Sequence, residues 1–109
     1  MERFALEAFT PQDERLEAVT IAPLTAPGRV QAAIFYVAAG GRIARHPAAT
    51  PQILAVIEGE GLVSGADGAF QPIGPGEAVF WVAGEEHETV SDHGLTALIV
   101  EGEGLTVRR

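Results

Sequence analysis

Three histidines hold most of the chemistry available to this chain: His46, His87 and His93. His46 lies in GGRIARHPAATPQILAVIEGEG, residues 40–61, and Gln52 follows it at the head of an apolar run. His87 lies in GEAVFWVAGEEHETVS, residues 76–91. A neutral imidazole can hydrogen-bond a small molecule or give a lone pair to a transition metal. Other chemistries drop out. With no cysteine there are no disulfides, thiol nucleophiles or zinc ribbons. All seven basic residues are arginines, which removes Schiff-base and phosphate-loop lysines. Ser64 and Ser91 are the only serines, and neither sits in a G-x-S-x-G elbow. Ser91, Asp92 and His93 are adjacent, but a catalytic triad needs a spatial geometry that adjacency does not supply. No catalytic signature stands out, so whether the protein is an enzyme stays open at this level.

Side chains far apart in sequence must be brought together by folding, and here the carriers are strands. Glycine or proline interrupts the chain every few residues, leaving runs of about 5 to 10 residues, right for strands and short for amphipathic helices. The runs predict strands at Leu16–Ile21, Val30–Ala38, Ile53–Glu58, Leu62–Ser64, Ala78–Val82, His87–Val90, Leu95–Val100 and Leu105–Val107. A short helix could start at Thr10. The Asp67-Gly68 pair between two strand-like runs is a hairpin signal. Many short strands and no convincing helix give an all-β sandwich or barrel. VQAAIFYVA is apolar on both alternations, so its second face needs cover from the N-terminal segment, residues 4–22, or from a second copy of the chain.

The 109 residues make one domain, 1–109, with 47% hydrophobic and 20% charged residues. A net charge of −8 opposes nucleic acid and anionic membrane surfaces as partners. The N-terminus MERFALEAF does not read as a signal peptide, and the longest apolar run, Ala32 to Ala39, is far below a membrane span. A soluble cytoplasmic protein is expected.

The two histidine segments together resemble the paired motifs of the cupin superfamily, small jelly-roll β-barrels of the RmlC-like type. The first cupin motif runs glycine, five residues, His-x-His, three or four residues, Glu, six residues, glycine. Gly40, His46 and Gly59 match it, Ala48 stands at the second histidine, and Gln52 stands for the glutamate. The second runs glycine, five residues, Pro-x-Gly, two residues, His, three residues, Asn. Gly76, Gly84 and His87 match, with Val82 in place of the proline and Ser91 of the asparagine. The resemblance covers about residues 30–101. It implies a cupin-type jelly-roll barrel of two antiparallel sheets, a homodimer as many small cupins are, and a divalent metal (Mn, Fe, Ni, Zn or Cu) held here by His46, Gln52 and His87. Neutral imidazoles and an amide bind such an ion less tightly than a set with a carboxylate, leaving open positions for a small, even anionic, organic ligand.

An enzyme on this plan would be a metal-dependent dioxygenase, isomerase or lyase such as a decarboxylase. A metal-free binding or sensing module using the same cavity is the alternative. Strand alternation puts position 48 on the side of His46, and barrel closure lets inward residues of different strands converge. Tyr36, Phe80 and Trp81 are candidate pocket walls, with alternation allowing only one of Phe80 and Trp81 to face inward. Glu86 and Glu88 read as a solvated face and Glu85 as a rim residue, Arg42 and Arg45 equally as rim residues or as attractors of an anionic ligand, and His93 as a solvent-exposed turn residue with an extra ligand as the alternative.

Overall fold

The longest element, β2 (Val30–Pro47), organises the rest of the barrel. The sequence suggested that this strand stops before Gly40-Gly41, yet it runs through the pair. Gly40 takes φ 78°, and a Cβ on Gly41 would lie 2.9 Å from the carbonyl oxygens of Glu17, Ala18 and Ala38. The two glycines therefore let the strand turn and press against its neighbour without ending it. Along one edge it pairs with β1 (Leu16–Pro23), which reaches from Ala33 to Ile43, and on the other edge its first half pairs with β8 (Leu95–Gly102). Its second half pairs with β7 (Glu86–Val90).

The computed structural model describes residues 1–108. Its remaining strands are β3 (Gln52–Gly59), β4 (Gly61–Ser64), β5 (Gln71–Ile73) and β6 (Ala78–Trp81). All pairings are antiparallel, in the order β5-β4-β7-β2-β8-β3-β6, with β1 also on β2. Because β2 belongs to both halves, the ladder folds into two sheets that face each other. The expected all-β jelly-roll barrel is what forms. Among the described residues there is no helix, and so none long and apolar enough to cross a membrane.

Two expectations fail for local reasons, and one strand was not expected. The segment after Thr10 is a turn, because the Asp13 carboxylate takes the Arg15 N–H at 2.9 Å and its guanidinium at 2.8 Å, a side-chain turn that competes with helix. Leu105–Val107 pairs with nothing and trails the Gly102–Gly104 turn. The unforeseen β5 contains Pro72, which is tolerated because that strand pairs only with β4 and its other edge needs no N–H. The Asp67-Gly68 hairpin does connect β4 to β5, through a six-residue loop, 65–70, in which Gly68 has φ 74°.

Alternation sorts the side chains between core and exterior. Gln52, Leu54 and Val56 of β3 and Leu95, Ala97 and Ile99 of β8 are buried, and the residues between them face out. The core joins these to Val19, Val37, Ile43, Val63, Ile73 and Trp81, with Phe35 packed against them. On the doubly apolar part of β2, Val37 and Phe35 thus face the core. Its other face carries Val30 and Tyr36, which are exposed. Of residues 4–22, expected as a cover for that face, Leu16 onward lie instead along the strand's edge as β1, since a hydrogen-bonded edge partner cannot also lie over the face.

Candidate functional site

His46 and His87 are cross-strand partners in the β2–β7 pair, just past a bulge that follows Ile43. Their ring centroids are 4.4 Å apart, tilted by 53°. The His46 Nδ1 lies 2.7 Å from the Ala44 carbonyl oxygen. That oxygen can only accept, so Nδ1 donates, and in the neutral ring it is Nε2 that keeps the lone pair. Trp81 also packs on His87, centroid to centroid 4.4 Å, its own indole N–H donating to the Ser64 carbonyl at 3.1 Å. Trp81 is thereby held, and His87 packs against two rings.

His87 is 1% exposed, and neither of its ring nitrogens has a partner. Burial, reinforced by the positive charges His46, Arg45 and Arg15 can carry and partly offset by Glu85, pushes its pKa down to about 4. The ring is neutral at neutral pH, with one N–H and one lone pair unspent inside the barrel. Each such orphan costs about 1–3 kcal/mol if nothing meets it. Two residues further on, Thr89 repeats the situation: it is 1% exposed, on the same inward face, and its Oγ1 is unpartnered. The sequence reading missed Thr89, though its spacing of two from His87 was the available signal.

Gln52 is buried on the inward face of β3 as the cross-strand partner of Trp81, and Trp81 in turn packs on His87, which packs on His46. Ala48 is buried as well, tied by backbone hydrogen bonds to Glu85 and Gly84. Tyr36 and Phe80 do not join them. Tyr36 is exposed and pairs with Thr20 and Thr96, whereas its neighbour Val37 is core; Phe80 lies opposite Ile53, on the other side of its strand from Trp81. The same alternation that turns Val37 and Trp81 inward turns these two out.

The rim residues are structural. Glu85 accepts from the Val82 and Ala66 N–H groups at 3.1 and 3.2 Å, fixing two turns. Arg45 donates to the carbonyls of Gly65 and Ala66. Arg42 is flanked by Glu17 and Glu88. Ser91 Oγ donates to the Glu60 carbonyl at 2.7 Å and accepts the Gly94 N–H at 2.9 Å, so it locks turns together and is not paired with His93. His93 is exposed and lines a separate cleft of about 540 Å³ with Glu60, Glu77 and Asp92.

Solved structures share this fold across nearly the whole chain. An RmlC-like cupin from Shewanella frigidimarina superposes with TM-score 0.81 at 18% identity, covering 95% of this chain and 93% of that one. This is the cupin fold. The polyketide cyclase RemF from Streptomyces resistomycificus gives TM-score 0.82 at 22% identity, over 99% of this chain and 88% of that one. A cupin 2 conserved barrel domain protein from Rhodopseudomonas palustris gives 0.74 at 18%, over 95% and 74%. No protein-family model matches the sequence, and no curated protein matches it. At these identities the likeness concerns architecture, and a cupin barrel carries many chemistries.

Does the interior suit the metal that the cupin fold often carries? Among the described residues no three His, Cys, Asp or Glu side chains converge as a ligand cluster. What is present is a free Nε2 on His46, an orphaned imidazole on His87 and a buried amide on Gln52. That donor set suits a borderline divalent ion held weakly, since neutral nitrogen ligands are present and no carboxylate offsets the charge.

Proposed function

We propose that the cupin interior is a small-molecule site built on His46 and His87, which weakly binds a divalent transition metal with Gln52 as the third donor and leaves positions for a small ligand, including an anionic one. The observation that supports this most is His87: a neutral, fully buried imidazole with both nitrogens unpaired, facing a second imidazole whose tautomer leaves Nε2 free. Buried polar groups are normally satisfied, and a ligand or ion is one way to satisfy this pair. A bound ion would supply Lewis acidity. The protein's own part is to hold the His87 imidazole neutral, to fix His46 through Ala44, and to exclude water with Trp81.

A second reading has its own support. Trp81 packs directly on His87, and only two histidines face inward, which favours a metal-free pocket where the imidazoles hydrogen-bond an uncharged or anionic ligand. Isothermal titration of chelator-treated protein with manganese, nickel and zinc separates the two. One ion per chain, with binding lost in His46→Ala, supports the metal site. Heat from none of the ions in the wild type overturns it and leaves the metal-free pocket. An ion that binds equally well to His46→Ala places metal elsewhere and also overturns it.

A further inference from the structure

Among the described residues, three buried side-chain polar atoms have no hydrogen-bond partner: Nδ1 and Nε2 of His87 and Oγ1 of Thr89. They are not scattered. His87 and Thr89 stand two apart on β7 and point to the same, inward side of it. Ser91, two residues further on, is also buried, yet the chain satisfies it twice, through the Glu60 carbonyl and the Gly94 N–H. The fold thus closes the hydroxyl that ties its turns and leaves the neighbouring one open. The cross-strand partners of Thr89 are Ile43 and Val63, core side chains with nothing to offer a hydroxyl. Buried hydroxyls normally have a partner, and here the side chains alongside supply none.

We infer that Thr89 is a ligand-contacting residue of the interior site, and that the ligand is a short hydroxycarboxylate, its carboxylate at the His46–His87 pair and its hydroxyl on Thr89 Oγ1. The inference rests on the ion-bound form of the function proposed above. Residues two apart on a strand are about 6.7 Å from each other, a gap that two or three carbons span between a polar contact at each end. The two ends differ in chemistry. An ion held by neutral imidazoles and an amide keeps its charge and draws an anionic oxygen. A threonine hydroxyl is uncharged and both donates and accepts, so it suits a second hydroxyl and gains nothing from a methyl. The position of Thr89 would then decide which carboxylates the site prefers, a property that His46, Gln52 and His87 alone do not set.

Isothermal titration of protein loaded with manganese, nickel or zinc in turn tests this, at about 0.15 M salt to screen the net charge of −8. Two matched pairs serve as probes: glycolate against propionate, and 3-hydroxypropionate against butyrate, each pair exchanging a hydroxyl for a methyl. In at least one pair the hydroxycarboxylate should bind at least about fivefold more tightly. Thr89→Val should erase that preference, and Thr89→Ser should keep it. A hydroxyl that only held the fold would show itself in stability instead. Ligand-free Thr89→Val should therefore be no less stable than wild type in urea unfolding. A valine variant that is less stable without ligand, or that keeps the preference, overturns the inference. So does a wild type that binds both members of each pair alike, or none of the four. If carboxylate binding is then still lost in His46→Ala, the interior site itself stands and only the role of Thr89 falls. Hydroxycarboxylates that bind His46→Ala as tightly as wild type lie elsewhere and overturn both readings, as does a wild type that takes up none of the three ions.

Discussion

Replacing His87 with leucine should remove the protein's acid sensitivity between about pH 6.5 and 4. An unfolded histidine titrates near 6.5 and the buried His87 near 4. Above 6.5 both states are neutral, and the group contributes no pH dependence. As pH falls, the unfolded chain binds the proton first and is favoured, so stability is lost down to the folded pKa and levels off below it. A gap of about 2.5 pH units at 1.36 kcal/mol each amounts to about 3 kcal/mol when fully expressed, and about 2 kcal/mol at pH 5. For a domain of this size 2 kcal/mol is roughly a 10 °C fall in Tm. Asp13, held down to about 2 by its Arg15 hydrogen bonds, titrates in a separate window below its ordinary 3.8, where its ion pair is lost as pH falls. Thermal unfolding of chelator-treated wild type and His87→Leu at pH 7.5, 6 and 5 reads the difference. The variant should be flat across the window. At pH 7.5 it should be no less stable than wild type, since leucine fills the space without two orphaned nitrogens. A variant that loses as much between pH 7.5 and 5 as wild type would refute the reasoning, because other groups would then carry the titration.

Three further outcomes follow from the geometry. The double change Ala48→His with Gln52→Glu should tighten divalent-metal binding at least about tenfold, roughly 1.4 kcal/mol by titration. Because Ala48 is buried, the same variant should lose about 1–3 kcal/mol of metal-free stability to overpacking, read by urea unfolding. Gly59→Ala should cost at least about 2 kcal/mol, since its φ is 80° and a Cβ would strike the Gly94 carbonyl, whereas Gly40→Ala, at φ 78° with nothing near, should cost only about 1 kcal/mol. Ala18, the one described non-glycine residue at positive φ (55°, at the β1 bulge), should gain about 0.5–1 kcal/mol in urea unfolding on replacement by glycine.

Much of the architecture was legible because it is local. Short apolar runs at Ile53–Glu58 and Leu95–Val100, bounded by glycines such as Gly59, Gly76 and Gly84 where φ is positive, mark strands and turns without knowledge of the whole. The pairing of His46 with His87 was legible only as a pattern: the spacing of two segments resembled a known one, and the strand register then set the rings 4.4 Å apart.

Tertiary structure alone decided the rest. Alternation gives a strand two faces but does not say which is the core. Hence Tyr36 and Phe80 turned outward once Val37 and Trp81 packed between the sheets. Gly40-Gly41 reads locally as a break, yet the carbonyls of Glu17, Ala18 and Ala38 crowd against Gly41 and carry β2 through it, joining both sheets. The neutrality of His87 is likewise invisible in HETVS, because it comes from a tryptophan and a histidine placed against it by β6 and β2, and from the exclusion of water that they enforce.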